Sequence, residues 1–140
     1  MFELRDLEVP VVGAPMAGGA STPALAAAVS DAGGLGCLAG GNKTAEQVAS
    51  ELTETRRATS GPVGLNLFVV EPFHPLPDTL DAYRRSVQPE ATRLGVTLGA
   101  PTWDDDGWGT KLEAAFDLRP DVVSFTFSCP STRCFGVSRK

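Results

Sequence analysis

Short, mainly apolar runs recur along the chain and are separated by longer stretches with helical spacing. The four apolar runs cover residues 9–13, 35–39, 63–70 and 121–127, and proline or glycine lies at their borders. Apolar runs of this length are typical of strands that are buried on both faces, as in parallel sheets. The pattern therefore predicts four short strands.

Two amphipathic helices are predicted between the first three runs. Thr22 is a suitable N-cap for a helix that begins at Pro23, since proline needs no hydrogen-bond acceptor there. Thr44 and Gln47 have the spacing of a capping box for a second helix. The buried faces are predicted to carry Leu25, Ala28, Val29 and Ala32 in the first helix and Ala45, Val48, Ala49 and Leu52 in the second. Strands that alternate with helices in this order predict an α/β fold with right-handed crossovers and parallel strands.

The segment between the third and fourth runs is longer than the earlier connections. It opens with the proline-rich sequence PFHPLP, after which Asp78 is a possible N-cap. Leu80, Tyr83 and Val87 share one side of the helix that would follow. Further helical pieces are predicted over 89–94 and 110–118. We interpret residues 75–118 as a helical insertion that lies over the carboxyl end of the sheet.

Composition and charge narrow the class of protein. A chain of 140 residues is long enough for one compact domain with a buried core. Its net charge of −5 argues against general binding to nucleic acids or anionic membranes. No apolar run approaches a membrane span, and the acidic start MFELRDLEV does not resemble a signal peptide. Three scattered cysteines form neither a disulfide framework nor a zinc motif, so we expect a cytoplasmic protein without a metal.

The turn after the first predicted strand is the leading candidate for a binding site. It consists of small residues around one methionine: Ala14, Pro15, Met16, Ala17, Gly18, Gly19 and Ala20. Ligands of parallel α/β proteins bind at the carboxyl ends of strands, where small residues let the backbone approach a flat ring or a phosphate. Alternatively, the glycines only make a tight turn and Met16 fills the core. The spacing matches neither a dinucleotide fingerprint nor a P-loop.

Asn66 is the second candidate, because it interrupts the apolar run 63–70. If the amide is buried, it needs hydrogen-bond partners. Without them it would destabilise the fold by roughly several kcal/mol. It would be a suitable partner for the edge of a heterocycle. The alternative, an amide bonded to the backbone of a neighbouring loop, is equally compatible with the sequence.

Structural roles are expected for the other chemically reactive or aromatic residues. His74 is the single histidine and lies in a loop without a partner nearby in sequence. The carboxylates of 104–106 suit a solvated helix start. Cys129 has no neighbouring base, which favours a buried, inert thiol. Trp103 and Trp108 are interpreted as packing residues.

Two segments of the sequence resemble the amino-terminal part of the nitronate monooxygenases. They are PVVGAPMAGGASTPALAAAVSDAGGLGCLAGG and GPVGLNLFV, and the likeness extends from about residue 7 to residue 130. Related FMN-dependent enoyl reductases and NADH:quinone reductases share these segments. The resemblance implies a TIM barrel with non-covalent FMN at the carboxyl ends of its strands. It places Ala14, Pro15, Met16, Ala17 and Gly18 along the isoalloxazine ring, with Asn66 also in contact with the flavin.

The chemistry that the resemblance implies is oxidation of an alkyl nitronate. The nitronate reduces the flavin, and dioxygen then reacts to give a carbonyl compound and nitrite. The catalytic histidine of the family follows the fourth strand, so His74 is not its equivalent and no catalytic residue is assigned. The FMN phosphate site is built by loops near strands seven and eight.

A complete barrel of this type has eight βα units, whereas the sequence predicts four strands. We expect residues 1–131 to form the first half of a barrel and 132–140 to be an aberrant tail that reflects a frameshift or an early stop. Such a chain would bind FMN weakly or not at all, and it would be a non-catalytic remnant. Open sheet edges and an apolar inner face would favour self-association. A flavodoxin-like module is a further alternative, but it needs a phosphate loop that is not evident.

Overall fold

The computed structural model describes residues 2–72 and 75–131, which divide into two compact units. One unit contains the described residues up to Val70 together with those from Asp105 onwards, and the other contains the described residues of 71–104. His74, Cys134 and the predicted tail 132–140 lie outside the described residues.

The first unit is built on a parallel sheet of three strands, which confirms the predicted α/β class. Strands β1 (Gly36–Ala39), β2 (Val63–Phe68) and β3 (Val122–Thr126) lie in the order β1-β2-β3. Leu38 pairs with Leu65, and Asn66 pairs with Ser124. Three of the four predicted strands are therefore present.

The first predicted strand, 9–13, is not a regular strand. It makes a single parallel bridge, Val12 to Leu35, in which the Leu35 amide donates to the Val11 carbonyl at 3.0 Å. Pro10 has no N–H to extend the ladder. The side chains of Val11 and Val12 are exposed, so the prediction of a strand buried on both faces is wrong. The segment nevertheless runs parallel to β1 and directs the following turn towards the carboxyl end of the sheet.

Both predicted helix starts are confirmed. They are predictable because an N-cap depends on hydrogen bonds between residues close in sequence. Helix α1 (Pro23–Asp31) begins where Thr22 Oγ1 accepts from the Leu25 amide at 3.2 Å. Helix α2 (Ala45–Ala58) begins with the predicted capping box of Thr44 and Gln47.

The core lies between one face of the sheet and helices α2 and α4 (Trp108–Leu118). Its buried members are mostly aliphatic and come from the sheet and three helices: Ala26, Leu38, Val48, Leu52, Val63, Leu65, Leu67 and Ala115. Helix α4 packs against α2 and β2 and belongs to the first unit. The stretch predicted as one insertion, 75–118, is thus divided between the two units.

The second unit contains one long helix, α3 (Pro77–Leu94). The predicted cap at Asp78 is wrong, because Pro77 occupies the first turn and Leu76 is the N-cap. Pro89 lies inside the helix, where the sequence predicts a separate piece. Gly95 ends the helix in the left-handed region with φ 68°. In the described part of the chain, no helix is both long and apolar enough to cross a membrane.

Candidate functional site

The carboxyl end of the parallel sheet brings together the loops that follow its strands. The turn 14–20 follows the segment beside β1, residues 40–42 follow β1, and residues 127–130 follow β3. The candidate site is therefore built from segments that are more than 100 residues apart along the chain.

The turn 14–20 is fixed by Ser21, a residue that the sequence analysis missed. The buried Ser21 hydroxyl donates to the Ala14 carbonyl at 3.1 Å and accepts from the Met16 amide at 2.7 Å. Serine directly before a helix start was the available signal, since its hydroxyl readily bonds to nearby backbone. Gly18 and Gly19 have φ values of 86° and 103°, a region that favours glycine.

The glycines of the turn leave its backbone open to the surroundings. A Cβ atom added at Gly18 or Gly19 would meet no atom within 4 Å. Met16 is 43% exposed, so the alternative in which it fills the core is wrong. The arrangement leaves an open, side-chain-poor surface against which a flat ring can lie.

Asn66 is 5% exposed and bonds to the neighbouring strand. Its Nδ2 donates to Ser124 Oγ at 3.0 Å, and its Oδ1 accepts from Thr126 Oγ1 at 3.2 Å. The amide partners are therefore side chains of β3, and the alternative of a loop-backbone partner is wrong. An amide nitrogen carries two protons, and the described residues provide a partner for one of them.

The face of the sheet that carries Asn66 combines apolar and polar residues, whereas Leu65 and Leu67 point into the core. Next to Asn66 lie Gly64 and Cys37, and a Cβ added at Gly64 would be 2.6 Å from Cys37 Sγ. Burial raises the pKa of the Cys37 thiol. The inner face that the sequence predicts as apolar therefore also carries polar side chains in this part of the sheet.

An aromatic pair lies at the end of β2 and β3. The rings of Phe68 and Phe127 are 4.8 Å apart and meet edge to face at 68°. Phe127 is 75% exposed and has a φ of 78°, which is unusual for a bulky residue. Strained backbone of this kind persists only where the surrounding structure enforces it, and it is enriched at functional sites.

The carboxylates of 104–106 are not uniformly solvated. Asp106 Oδ2 lies 2.7 Å from Nζ of Lys111, which is 2% exposed, and Asp106 Oδ1 accepts from the Asn42 amide at 2.9 Å. Asp105 Oδ1 accepts from the Gly107 amide at 2.9 Å. The expectation of a solvated cap is therefore wrong for Asp106. Lys111 gives no signal in the sequence, because a lysine in the second turn of a helix is ordinarily exposed.

The remaining predictions have mixed outcomes. Trp108 packs on the core and meets the Phe125 ring edge to face at 5.9 Å, as expected for a packing residue. Trp103 is about half exposed. Cys129 is exposed because it lies beyond the end of β3, so the prediction of a buried thiol is wrong. No cluster of three metal-ligating side chains occurs in 2–72 or 75–131.

Comparison with known proteins gives a consistent result. The family model of nitronate monooxygenase matches residues 3–137. A nitronate monooxygenase of Paraburkholderia phytofirmans is 33% identical over the whole chain, which covers 39% of that protein. A nitronate monooxygenase of Pseudomonas aeruginosa is 34% identical over 91% of the chain, which covers 37% of it. The chain thus spans less than two-fifths of the length of these relatives and matches their N-terminal part.

Solved structures agree with the family match. A nitroalkane oxidase of Streptomyces ansochromogenes superposes with a TM-score of 0.87 at 39% identity, over 95% of this chain and 38% of that one. FabK of Thermotoga maritima is less similar, with a TM-score of 0.55 at 27% identity over 87% of this chain and 29% of that one. The described fold is therefore that of a partial TIM barrel. The chain belongs to the nitronate monooxygenase family.

Proposed function

We propose that this chain is the part of an FMN-dependent nitronate monooxygenase that lies along the isoalloxazine ring. The observation that carries the proposal is the open turn 14–20 at the carboxyl end of the sheet, which Ser21 holds in place. The reaction would use an alkyl nitronate and dioxygen, with a carbonyl compound and nitrite as products.

The residues of the turn fit a flat, polar ring. Gly18 and Gly19 leave open space where side chains would otherwise stand, so the ring can approach the backbone of Ala14, Pro15, Met16 and Ala17. When bound, FMN would supply the electron-accepting chemistry of the reaction. Asn66 would donate its second amide proton to an acceptor at the ring edge, since Ser124 and Thr126 fix the orientation of the amide.

The phosphate of FMN requires a different set of contacts. The described residues contain no P-loop-like sequence, and the family resemblance assigns the phosphate site to later strands of the barrel. We therefore propose that this chain recognises the ring and contributes little to phosphate binding. Its affinity for free flavin should be weak, with a Kd of about 0.1–1 mM, which is roughly −4 to −5 kcal/mol.

Parallel titrations with FMN and riboflavin test this proposal, because the two ligands share the ring and differ in the phosphate. Flavin fluorescence is followed as the purified chain is added. We expect both ligands to bind with similar, weak affinity. Stoichiometric retention of FMN, or much tighter binding of FMN than of riboflavin, would show that the chain holds a phosphate site. No response from either ligand would refute the ring contact.

A matched pair of glycine variants tests whether the flavin fluorescence response arises from binding at the turn 14–20. Gly18→Val places a branched side chain in the open space of the turn, and it should abolish the response to riboflavin. Gly95→Val is the control, because Gly95 also has a positive φ and open space but ends α3 in the other unit. It should bind riboflavin like the unmodified chain. Equal losses in both variants would indicate a general effect on folding.

We also propose that the protein acts in the cytoplasm on small molecules rather than on nucleic acids or membranes. The net charge of −5 supports this, because it disfavours contact with phosphate-rich surfaces. Self-association through β3, the outer strand of the described sheet, is a further proposal. Light scattering on the purified chain at two concentrations tests it, and a monomer at both would refute it.

A further inference from the structure

A buried ion pair lies at the carboxyl end of the sheet and is not explained by the contacts with flavin. Lys111 is among the largest fully buried side chains, with 2% of its surface exposed. Its Nζ lies 2.7 Å from Asp106 Oδ2, and it makes no hydrogen bond to another described residue. A buried ammonium is costly unless a counter-charge compensates it, so Lys111 restricts where Asp106 can lie.

Asp106 also bonds to the loop that follows β1. Its Oδ1 accepts from the Asn42 amide at 2.9 Å, across 64 residues of sequence. Asn42 and Asp106 both have left-handed backbone, with φ values of 59° and 58°. Asn and Asp are the non-glycine residues that adopt this region most readily, and the hydrogen bond joins the two turns in which they lie.

The loop in turn holds an aromatic ring. Gly41 precedes Asn42 and is buried, and a Cβ added there would lie 2.2 Å from Cζ of Phe68. The Phe68 ring therefore rests directly on the Gly41 backbone. The same ring also meets the Phe127 ring edge to face. A continuous series of contacts thus leads from the buried ammonium through the loop to the aromatic pair.

We infer that Asp106 and Lys111 are positioning residues that fix the Phe68 ring at the carboxyl end of the sheet. The pair acts through the Asn42 amide and the Gly41 backbone and does not touch the ligand. Its use in catalysis rests on the proposed function, since an ordered aromatic wall would keep water away from the reacting nitronate. The positioning itself is a property of the folded chain and can be measured without flavin.

Two double variants test the inference without leaving a buried charge unpaired. D106N/K111M removes both charges and retains a carbonyl oxygen for the Asn42 amide. D106A/K111M removes the charges and that oxygen. Each chain is labelled with 4-fluorophenylalanine, and the fluorine signals are assigned by Phe68→Leu and Phe127→Leu. Circular dichroism establishes that each variant is folded.

We expect D106A/K111M to shift the Phe68 and Phe127 signals by more than their linewidths, and D106N/K111M to leave them near their original positions. Lys43→Met is the control, because it removes a neighbouring ion pair, with Glu51 on α2, that does not involve Asn42. It should move neither signal. Unchanged signals in folded D106A/K111M, or equal shifts in both double variants, would overturn the inference.

Gly41→Ala tests the contact between the loop and the Phe68 ring independently. It keeps the inference falsifiable if D106A/K111M does not fold. The added methyl group must displace the Phe68 ring or the loop, so the Phe68 signal should shift. An unchanged signal would overturn the contact between loop and ring. Because no flavin is present, these outcomes are separate from the flavin titrations, which alone decide the proposed function.

Discussion

The two ends of the sheet use polar side chains in different ways. At the amino end, Ser30 Oγ bonds to the carbonyls of Ala26 and Pro62 and to the Gly36 amide, which locks α1 onto the strands. At the carboxyl end, the polar side chains hold loops whose backbone is strained or exposed. Of the four described non-glycine residues with positive φ, three lie there, Asn42, Asp106 and Phe127, and the fourth, Arg119, lies at the amino end.

Two aspartates show the same contrast. Asp121, at the amino end, accepts from the Val63 amide at 2.8 Å and pairs with Arg56 at 2.9 Å, with both side chains about a third exposed. Asp106, at the carboxyl end, accepts from the Asn42 amide and pairs with the buried Lys111. The amino-end pair joins regular elements, whereas the carboxyl-end pair stabilises a loop. The comparison indicates that most of the strained non-glycine backbone of the described residues lies at the carboxyl end.

One of the two largest effects is expected from a methyl group at the amino end. A Cβ at Gly36 would lie 1.8 Å from the Ala26 carbonyl oxygen, so Gly36→Ala forces α1 away from β1. We expect a loss of about 3 kcal/mol or more in the free energy of unfolding, measured by urea denaturation. Gly18→Ala at the carboxyl end meets no atom and should cost only about 1 kcal/mol of backbone strain. Equal losses would contradict the contrast between the ends.

The two aspartates provide the second comparison. Asp106→Ala leaves the Lys111 ammonium buried without a counter-charge and should cost about 3–5 kcal/mol. Asp121→Ala leaves Arg56 partly solvated and should cost about 1–2 kcal/mol, mainly through the lost bond to the Val63 amide. Urea denaturation of both variants at pH 7 gives the difference. A smaller loss for Asp106→Ala would show that water reaches Lys111.

The features that the sequence predicts correctly depend on neighbours in the chain. The caps at Thr22 and Thr44 bond to residues three positions away, so their pattern is visible without the fold. The sequence also requires hydrogen-bond partners for Asn66, but it does not identify them. Ser124 lies 58 residues away and becomes a neighbour only when β2 and β3 pair.

Errors arose where tertiary contacts override local preference. Lys111 looks like a solvated helix residue, and its burial becomes favourable only through the ion pair with Asp106, which the local sequence does not reveal. Pro89 indicates a helix boundary in sequence, yet α3 continues through it. The composition of the turn 14–20 is visible in the sequence, whereas the two hydrogen bonds by which Ser21 closes it form only in the folded chain.

Two buried serines, Ser30 at the amino end and Ser21 at the carboxyl end, allow the same comparison with smaller expected losses in the free energy of unfolding. Ser30→Ala removes the acceptor of the Gly36 amide and the one hydroxyl proton that the Ala26 and Pro62 carbonyls share, and it should cost about 2 kcal/mol without affecting riboflavin binding. Ser21→Ala removes the two bonds that close the turn and should cost about 1 kcal/mol. It should also speed hydrogen exchange at the Met16 amide and weaken the riboflavin response. If riboflavin binding weakened in both variants in proportion to their loss of stability, Ser21 would have no local role in the turn.

The smallest effect concerns two thiols and should leave stability unchanged. Cys129 is exposed beyond β3, whereas Cys37 is buried on the face that carries Asn66, where burial raises its pKa. Since the thiolate is the reactive form, a raised pKa and restricted access both slow alkylation of Cys37. Iodoacetamide at pH 8 should therefore modify Cys129 in the folded chain and Cys37 only in urea, as read by peptide mass spectrometry. Equal rates in the folded chain would mean that solvent reaches the Asn66 face, and that face would then be an open surface before any ligand binds.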